Sequence, residues 1–184
     1  MVTEEIITRC INNDRQAHAS LYSSCAPYAY TIIKNYIGDN HFRKDALQES
    51  FAEIFTSLDS FDKNKGAFKS WMSRIVVHTC IDLYKHKFKV FDDLEESEIG
   101  ESIDEQPIEF NSNDLKRIEL LMKDMPKGYK TIFLLNQVEE YSHEKIADML
   151  DIKPETSRSQ LNRAKKWIKK NMVTIQNLSP NEVI

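Results

Sequence analysis

The chain has 184 residues, with 25 Lys and Arg against 29 Asp and Glu and a formal net charge of −4. This length accommodates one ordinary domain or two small ones, and its 4 Gly and 5 Pro, with Met, Leu, Ile and Phe spread throughout, argue against a collagen-like, repeat-array or wholly disordered chain. No run approaches the roughly 18 apolar residues of a membrane span. The first twenty residues carry Glu4, Glu5 and Asp14 and lack a leader's apolar stretch, so a cytoplasmic protein with no direct membrane insertion is expected.

Between residues 14 and 89, apolar residues recur at three- and four-residue spacing, which predicts helices. Pro27 begins or kinks the first, which carries Tyr28, Ile32, Ile33 and Tyr36. Gly38-Asp39-Asn40 marks a turn and an N-cap. Phe42, Ala46, Leu47, Phe51, Ile54, Phe55 and Leu58 then form an apolar stripe, with Asp45, Gln48, Glu49 and Glu53 opposite. Asp59–Gly66 reads as a polar loop. A further helix places Phe68, Met72, Ile75, Val76 and Thr79 on one face, with Trp71 at its border. Arg74, His78 and Lys85 fall within about 40° of one another on a different face. Phe61–Lys89 carries seven basic and two acidic residues. Cations beside flat rings suit single-stranded or distorted nucleic acid, although a solvated helix face has the same composition.

Residues 90–114 hold ten acidic residues and no Lys or Arg; without them the chain would carry +6. Such a run cannot bury enough apolar surface to offset its ordering entropy and is expected to be a tether. Fully extended, it spans about 80 Å. The predicted organisation is a helical domain over 1–89, an acidic linker over 90–112, a second helical domain over 113–172 and a tail over 173–184. The fold class is all-α.

In the second domain Ser142 is an N-cap, and Ile146, Ala147, Met149 and Leu150 make a short buried face. Asp151 sits at the turn, where a left-handed backbone is often needed and Asp is tolerated better than most residues, and Pro154 opens the next helix. Ser157, Leu161, Ala164 and Ile168 share one face of that helix. Arg158, Asn162, Lys165 and Lys169 share the other, flanked by Ser159, Arg163 and Lys166. Seven basic residues against one acidic between Lys153 and Lys170 complete a helix-turn-helix pattern suited to the major groove. Arg158 and Arg163 match guanine edges, Asn162 and Ser159 bases or phosphates, and the lysines phosphates.

Nothing in the pattern suggests an enzyme. The five histidines are scattered, and no H-E-x-x-H, Walker or G-x-S-x-G motif occurs. Cys10, Cys25 and Cys80 are odd in number and widely spaced, which fits buried thiols in a reducing compartment. No catalytic residue, metal site or cofactor is expected.

Taken together, the motifs resemble the extracytoplasmic-function sigma factors of bacterial RNA polymerase. The likeness runs through Asp45-Ala46-Leu47-Gln48-Glu49-Ser50-Phe51, Phe61-Asp62, Gly66–Met72, Arg74-Ile75 and Ile81-Asp82-Leu83. It continues with Met125-Pro126, Tyr141–Ala147 and Thr156–Ala164. The resemblance implies core RNA polymerase and promoter DNA as partners, with an anti-sigma factor restraining the protein. It implies that Asp45, Gln48 and Glu49 grip the polymerase, and that Asn64, Lys69, Trp71, Arg74 and His78 act in promoter melting. Arg158, Ser159, Asn162, Arg163, Lys166 and His143 would read the upstream element. His78, Gln160 and Asp151 depart from the family's commonest residues, Gln160 replacing a frequent cation. The alternative is a free-standing helix-turn-helix regulator that works without polymerase.

Overall fold

The computed structural model describes residues 2–88, 118 and 120–176. These fall into two compact units, one within Met1–Phe88 and the other within Lys89–Ile184. Among the described residues the secondary structure is helical throughout, and no helix is long and apolar enough to cross a membrane. The expected linker, 90–112, lies outside the described residues, as does the end of the expected tail.

The first unit begins with a helix that its pattern had not suggested, α1 (Glu4–Ile11). Thr3 caps it by accepting from Ile6 N at 3.4 Å, Glu4 and Glu5 complement the positive end of the helix dipole, and Ile7 and Cys10 are buried. The signal was legible: a Thr cap, two first-turn acids and an apolar pair three residues apart. Asp14 then caps α2 (Arg15–Tyr36), accepting from Gln16 N at 2.8 Å and Ala17 N at 3.2 Å. Arg9 Nε also donates to Asp14 at 2.9 Å, so the end of one helix is fastened to the start of the next. That hydrogen bond is the main reason the Asp14 carboxyl is held below its usual range, with the bonds from the backbone helping.

Pro27 lies inside α2 and does not begin it. The Asp14 cap and the buried series Ala17, Leu21, Cys25, Ala29, Ile32, Ile33 and Tyr36 set the helix, so the tertiary stripe overrides the local breaker. Asp39 caps α3 (Asn40–Thr56) through His41 N at 2.7 Å, as the sequence indicates. Arg43 Nε donates to Ile37 O at 2.7 Å, closing the end of α2. Ala46, Ser50, Phe51 and Ile54 face inward from α3, and Leu58 follows in a short 3₁₀ turn. Gly66, at φ 149°, adopts a backbone conformation that side chains disfavour, just before α4 (Phe68–Phe88).

Met72, Val76, Val77, Cys80 and Ile81 of α4 are buried. Ile75 and Thr79, expected on that inner face, are only half-buried and line a groove instead. All three cysteines are free and buried, and desolvation pushes the Cys80 thiol up to about 12. Since the thiolate is the reacting form, native protein at neutral pH should resist alkylation at Cys80. Mass spectrometry after iodoacetamide treatment should show labelling of Cys80 only in denaturant.

In the second unit, residues 120–124 are helical and Pro126 precedes α5 (Lys127–Phe133). The helix continues into a π-turn over Leu134–Val138, where Glu139 N reaches back to Leu134 O at 3.0 Å. Glu140 takes a left-handed conformation at φ 59°, and Asn136 Nδ2 donates to Tyr141 O at 2.9 Å. The chain is thereby delivered to Ser142, which caps α6 (His143–Leu150) by accepting from Lys145 N at 3.2 Å. Asp151 is left-handed at φ 55°, ψ 48°, and Pro154 starts α7 (Pro154–Gln176), both as expected. Ile132, Leu135, Ile146, Leu150, Leu161, Ala164 and Ile168 form the core. Gln160 is buried at 2% exposure, so this departure from the family pattern is an inward-facing one rather than a change at the surface.

Candidate nucleic-acid interface

The helix pair α6–α7 is fastened at its crossing by a contact between His143 Nδ1 and Ser157 Oγ at 2.8 Å. Ser157 is fully buried, so this contact sets how the second helix of the motif is presented. Neighbouring Arg158 bonds Glu144 through Nη2 at 2.6 Å and approaches Glu155 through Nη1 at 3.4 Å. Ser159 donates its hydroxyl to Thr156 O at 3.0 Å, which leaves its oxygen able to accept. Asn162 and Arg163 lie further along α7 and are half-buried; Lys166 is exposed. The six residues expected to read DNA therefore lie on the second to fourth turns of α7 and at the first residue of α6. The pattern had not revealed Glu144 and Glu155 as partners of Arg158. Glu155–Arg158 has legible i, i+3 spacing, whereas Glu144 is 14 residues away and needs the turn to bring it close.

Burial, then the charge of Arg158, pushes the His143 pKa down from its usual value, while Glu144 opposes and Lys165 adds to the fall. The folded form favours the neutral ring, so the unfolded chain binds more protons in the window between the lowered value and about 6.5. The stability contributed by His143 is fully present above about pH 6.5 and is lost as pH falls through the lowered value. Melting temperatures of the full chain at successive pH values should drop across this window, and His143→Gln should flatten the drop.

In the first unit, Asp45, Gln48 and Glu49 lie along α3, with Asp45 half-buried 4.0 Å from His41 and the other two exposed. Arg74 and His78 of α4 face Glu49 and Glu53 across an open groove of about 480 Å³, which Ile75, Thr79 and Asp82 also line. Two residue groups assigned separate tasks thus meet: Glu49 from one, Arg74 and His78 from the other.

The five candidate melting residues do not form one patch. Lys69 extends over the Tyr28 ring, 3.8 Å from its centre, and lines a second cavity with Val2, Ser24, Cys25, Phe68 and Met72. At 100° per residue Lys69 stands about 140° from Arg74 around α4. Trp71 packs instead with Phe61 and Phe68, at ring separations of 5.6 and 5.4 Å, forming an aromatic cluster at the end of the loop. Asn64 sits in a 3₁₀ turn capped by Asp62, which accepts from Asn64 N at 2.9 Å. Nearby Lys63 pairs with Glu4 at 2.9 Å and ties the loop to α1. Among the described residues no group of His, Cys, Asp and Glu has a metal-binding arrangement.

A helical module whose groove is lined by Glu49, Glu53, Arg74 and His78, and a second module with a basic helix-turn-helix, describe a DNA-binding transcription protein. The family model for Sigma-70 region 2 matches residues 21–88 and that for Sigma-70, region 4 matches residues 115–168, about two thirds of the chain between them. The chain belongs to the sigma-70 family, in its extracytoplasmic-function group. It is 26% identical over 179 residues to the ECF RNA polymerase sigma-E factor of Haemophilus influenzae, covering 91% of this chain and 94% of the relative. It is 22% identical over 183 residues to the ECF RNA polymerase sigma factor SigW of Bacillus subtilis, covering 94% and 97%. The solved structure of CnrH in complex with the cytosolic domain of CnrY aligns over 92% of this chain and 96% of that one, with 15% identity and a TM-score of 0.48.

Proposed function

We propose that this protein binds core RNA polymerase, directs it to promoters with two separated elements, and helps to open the DNA, working in the cytoplasm and restrained by an anti-sigma factor. The observation that carries this reading is the presence of both sigma-70 modules, in order, on one chain. A free-standing regulator would use the helix-turn-helix but leave the region 2 module without a task.

In this reading Asp45, Gln48 and Glu49 dock on the polymerase, and α7 enters the major groove of the upstream element. Arg158, Ser159, Asn162 and Arg163 meet bases, while Lys166 meets phosphates and His143 sets the helix crossing beneath them. Phe61, Phe68 and Trp71 offer flat surfaces to unstacked bases, and Arg74 and His78 hold the backbone of the separated strand. Extruding a base costs a few kcal/mol, which stacking and phosphate contacts offset. Residues 1–89 and 113–172 serve as the two working domains, with the acidic 90–112 as their connector. The protein performs no chemistry of its own; nucleotide addition belongs to the polymerase.

Run-off transcription with core polymerase on genomic fragments tests the proposal. Transcripts that depend on the added chain are expected. DNA binding by the chain alone, with no binding to polymerase, would establish the free-standing regulator instead.

A further inference from the structure

Arg158 is held between two carboxylates. Its Nη2 meets Glu144 at 2.6 Å and its Nη1 meets Glu155 at 3.4 Å. The Glu144 contact spans the turn of the motif, while the adjacent His143–Ser157 contact pins the same crossing from its buried side. Residues 143 and 144 thus meet 157 and 158 in register, so the guanidinium is placed by a fixed helix crossing. Glu144 is kept ionised: its own backbone N–H and the Ser142 hydroxyl hold its carboxyl below the usual range.

One cation beside two anions carries a net charge of −1. An unpaired arginine on a DNA-facing helix is drawn to the nearest phosphate, a contact without sequence information. A guanidinium already matched by carboxylates has lost that attraction but not its directional donors. It has five N–H groups, of which these contacts use two. What remains suits the neutral O6 and N7 acceptors of guanine. With the side chain 41% exposed, the remaining donors are accessible.

We propose that Glu144, assisted by Glu155, is a specificity-determining positioning residue that reserves Arg158 for a base edge of the upstream element and denies it to phosphates. The inference rests on the reading of Arg158 given under Proposed function.

The test uses full-length protein assembled with core polymerase and promoter duplexes randomised over the upstream element. Glu144→Gln keeps the shape and removes the charge. Expected are an approximately tenfold loss of discrimination at one base pair, severalfold tighter binding to random-sequence duplex, and a salt dependence steeper by about 0.9 in log–log slope, the signature of one added phosphate contact. Glu144→Asp, which restores the charge, should recover part of each effect. If Glu144→Gln instead weakens binding to all sequences equally and leaves the slope unchanged, Glu144 is only a brace and the proposal fails. Arg158→Ala is measured in parallel. If it leaves the upstream preference intact, the base-reading role of Arg158 itself falls; if it alters the preference while Glu144→Gln does not, only the positioning role falls.

Discussion

Replacing Arg158 with alanine lowers recognition of the upstream promoter element by about 10- to 100-fold and leaves affinity for core RNA polymerase unchanged. The magnitude is that of one bidentate arginine–guanine pair, roughly 1–3 kcal/mol. The fold should survive, because the two carboxylates left behind are largely exposed, with side-chain exposures of 64% and 65%, and exposed ion pairs contribute little to stability. The helix crossing also keeps its His143–Ser157 contact. Arg158→Lys should not restore recognition, since an ammonium is a point charge and cannot present the planar fork. Gel-shift titrations of holoenzyme on matched and mutated upstream elements, together with a polymerase-binding assay, separate the two affinities. Equal loss of both would show that the two modules do not divide the work.

The second large effect concerns the other module. Asp45→Lys combined with Glu49→Lys should weaken binding to core polymerase about 100-fold or more, and the double alanine variant about tenfold. Juxtaposing like charges at an interface costs several kcal/mol, whereas truncating a rim charge removes only an attraction. Glu49 is exposed on α3 and Asp45 is half-buried, and neither belongs to the buried set Ala46, Ser50, Phe51 and Ile54, so the helix keeps its core packing. Glu49 also lines the groove with Arg74 and His78, and Asp45→Lys alone therefore isolates docking from any effect on that groove. Fluorescence anisotropy with labelled protein measures the change. Unimpaired binding would remove α3 from the interface.

What the sequence made legible depended on how locally each feature is determined. Asp39 and Ser142 were readable as caps, and Asp151 and Pro154 as the turn and the next helix start, because each depends on a few neighbouring residues. Pro27 offered a helix start that the structure does not use, because a breaker signal is local, while the buried series on both sides of it belongs to a 22-residue helix. Ile75 and Thr79 fit an apolar stripe by spacing, but the groove between α3 and α4 is a property of two helices together. The same is true of the site. The basic face of α7 was visible as a charge pattern, and the clasp on Arg158 was not, since Glu144 reaches it only through the folded turn. Lys69 looked like one of several cations on one helix; its place over Tyr28 depends on how α2 packs against α4.

The buried thiols have a practical consequence. Cys10, Cys25 and Cys80 are the chain's three cysteines, all are withdrawn from solvent, and burial raises the pKa of each. A cysteine introduced at an exposed position such as Lys166 or Gln48 would be the fast-reacting sulfur in the molecule. Fluorophores or cross-linkers can therefore be installed one module at a time in the otherwise natural chain, and the distance between the two modules followed as the polymerase and then the promoter are added.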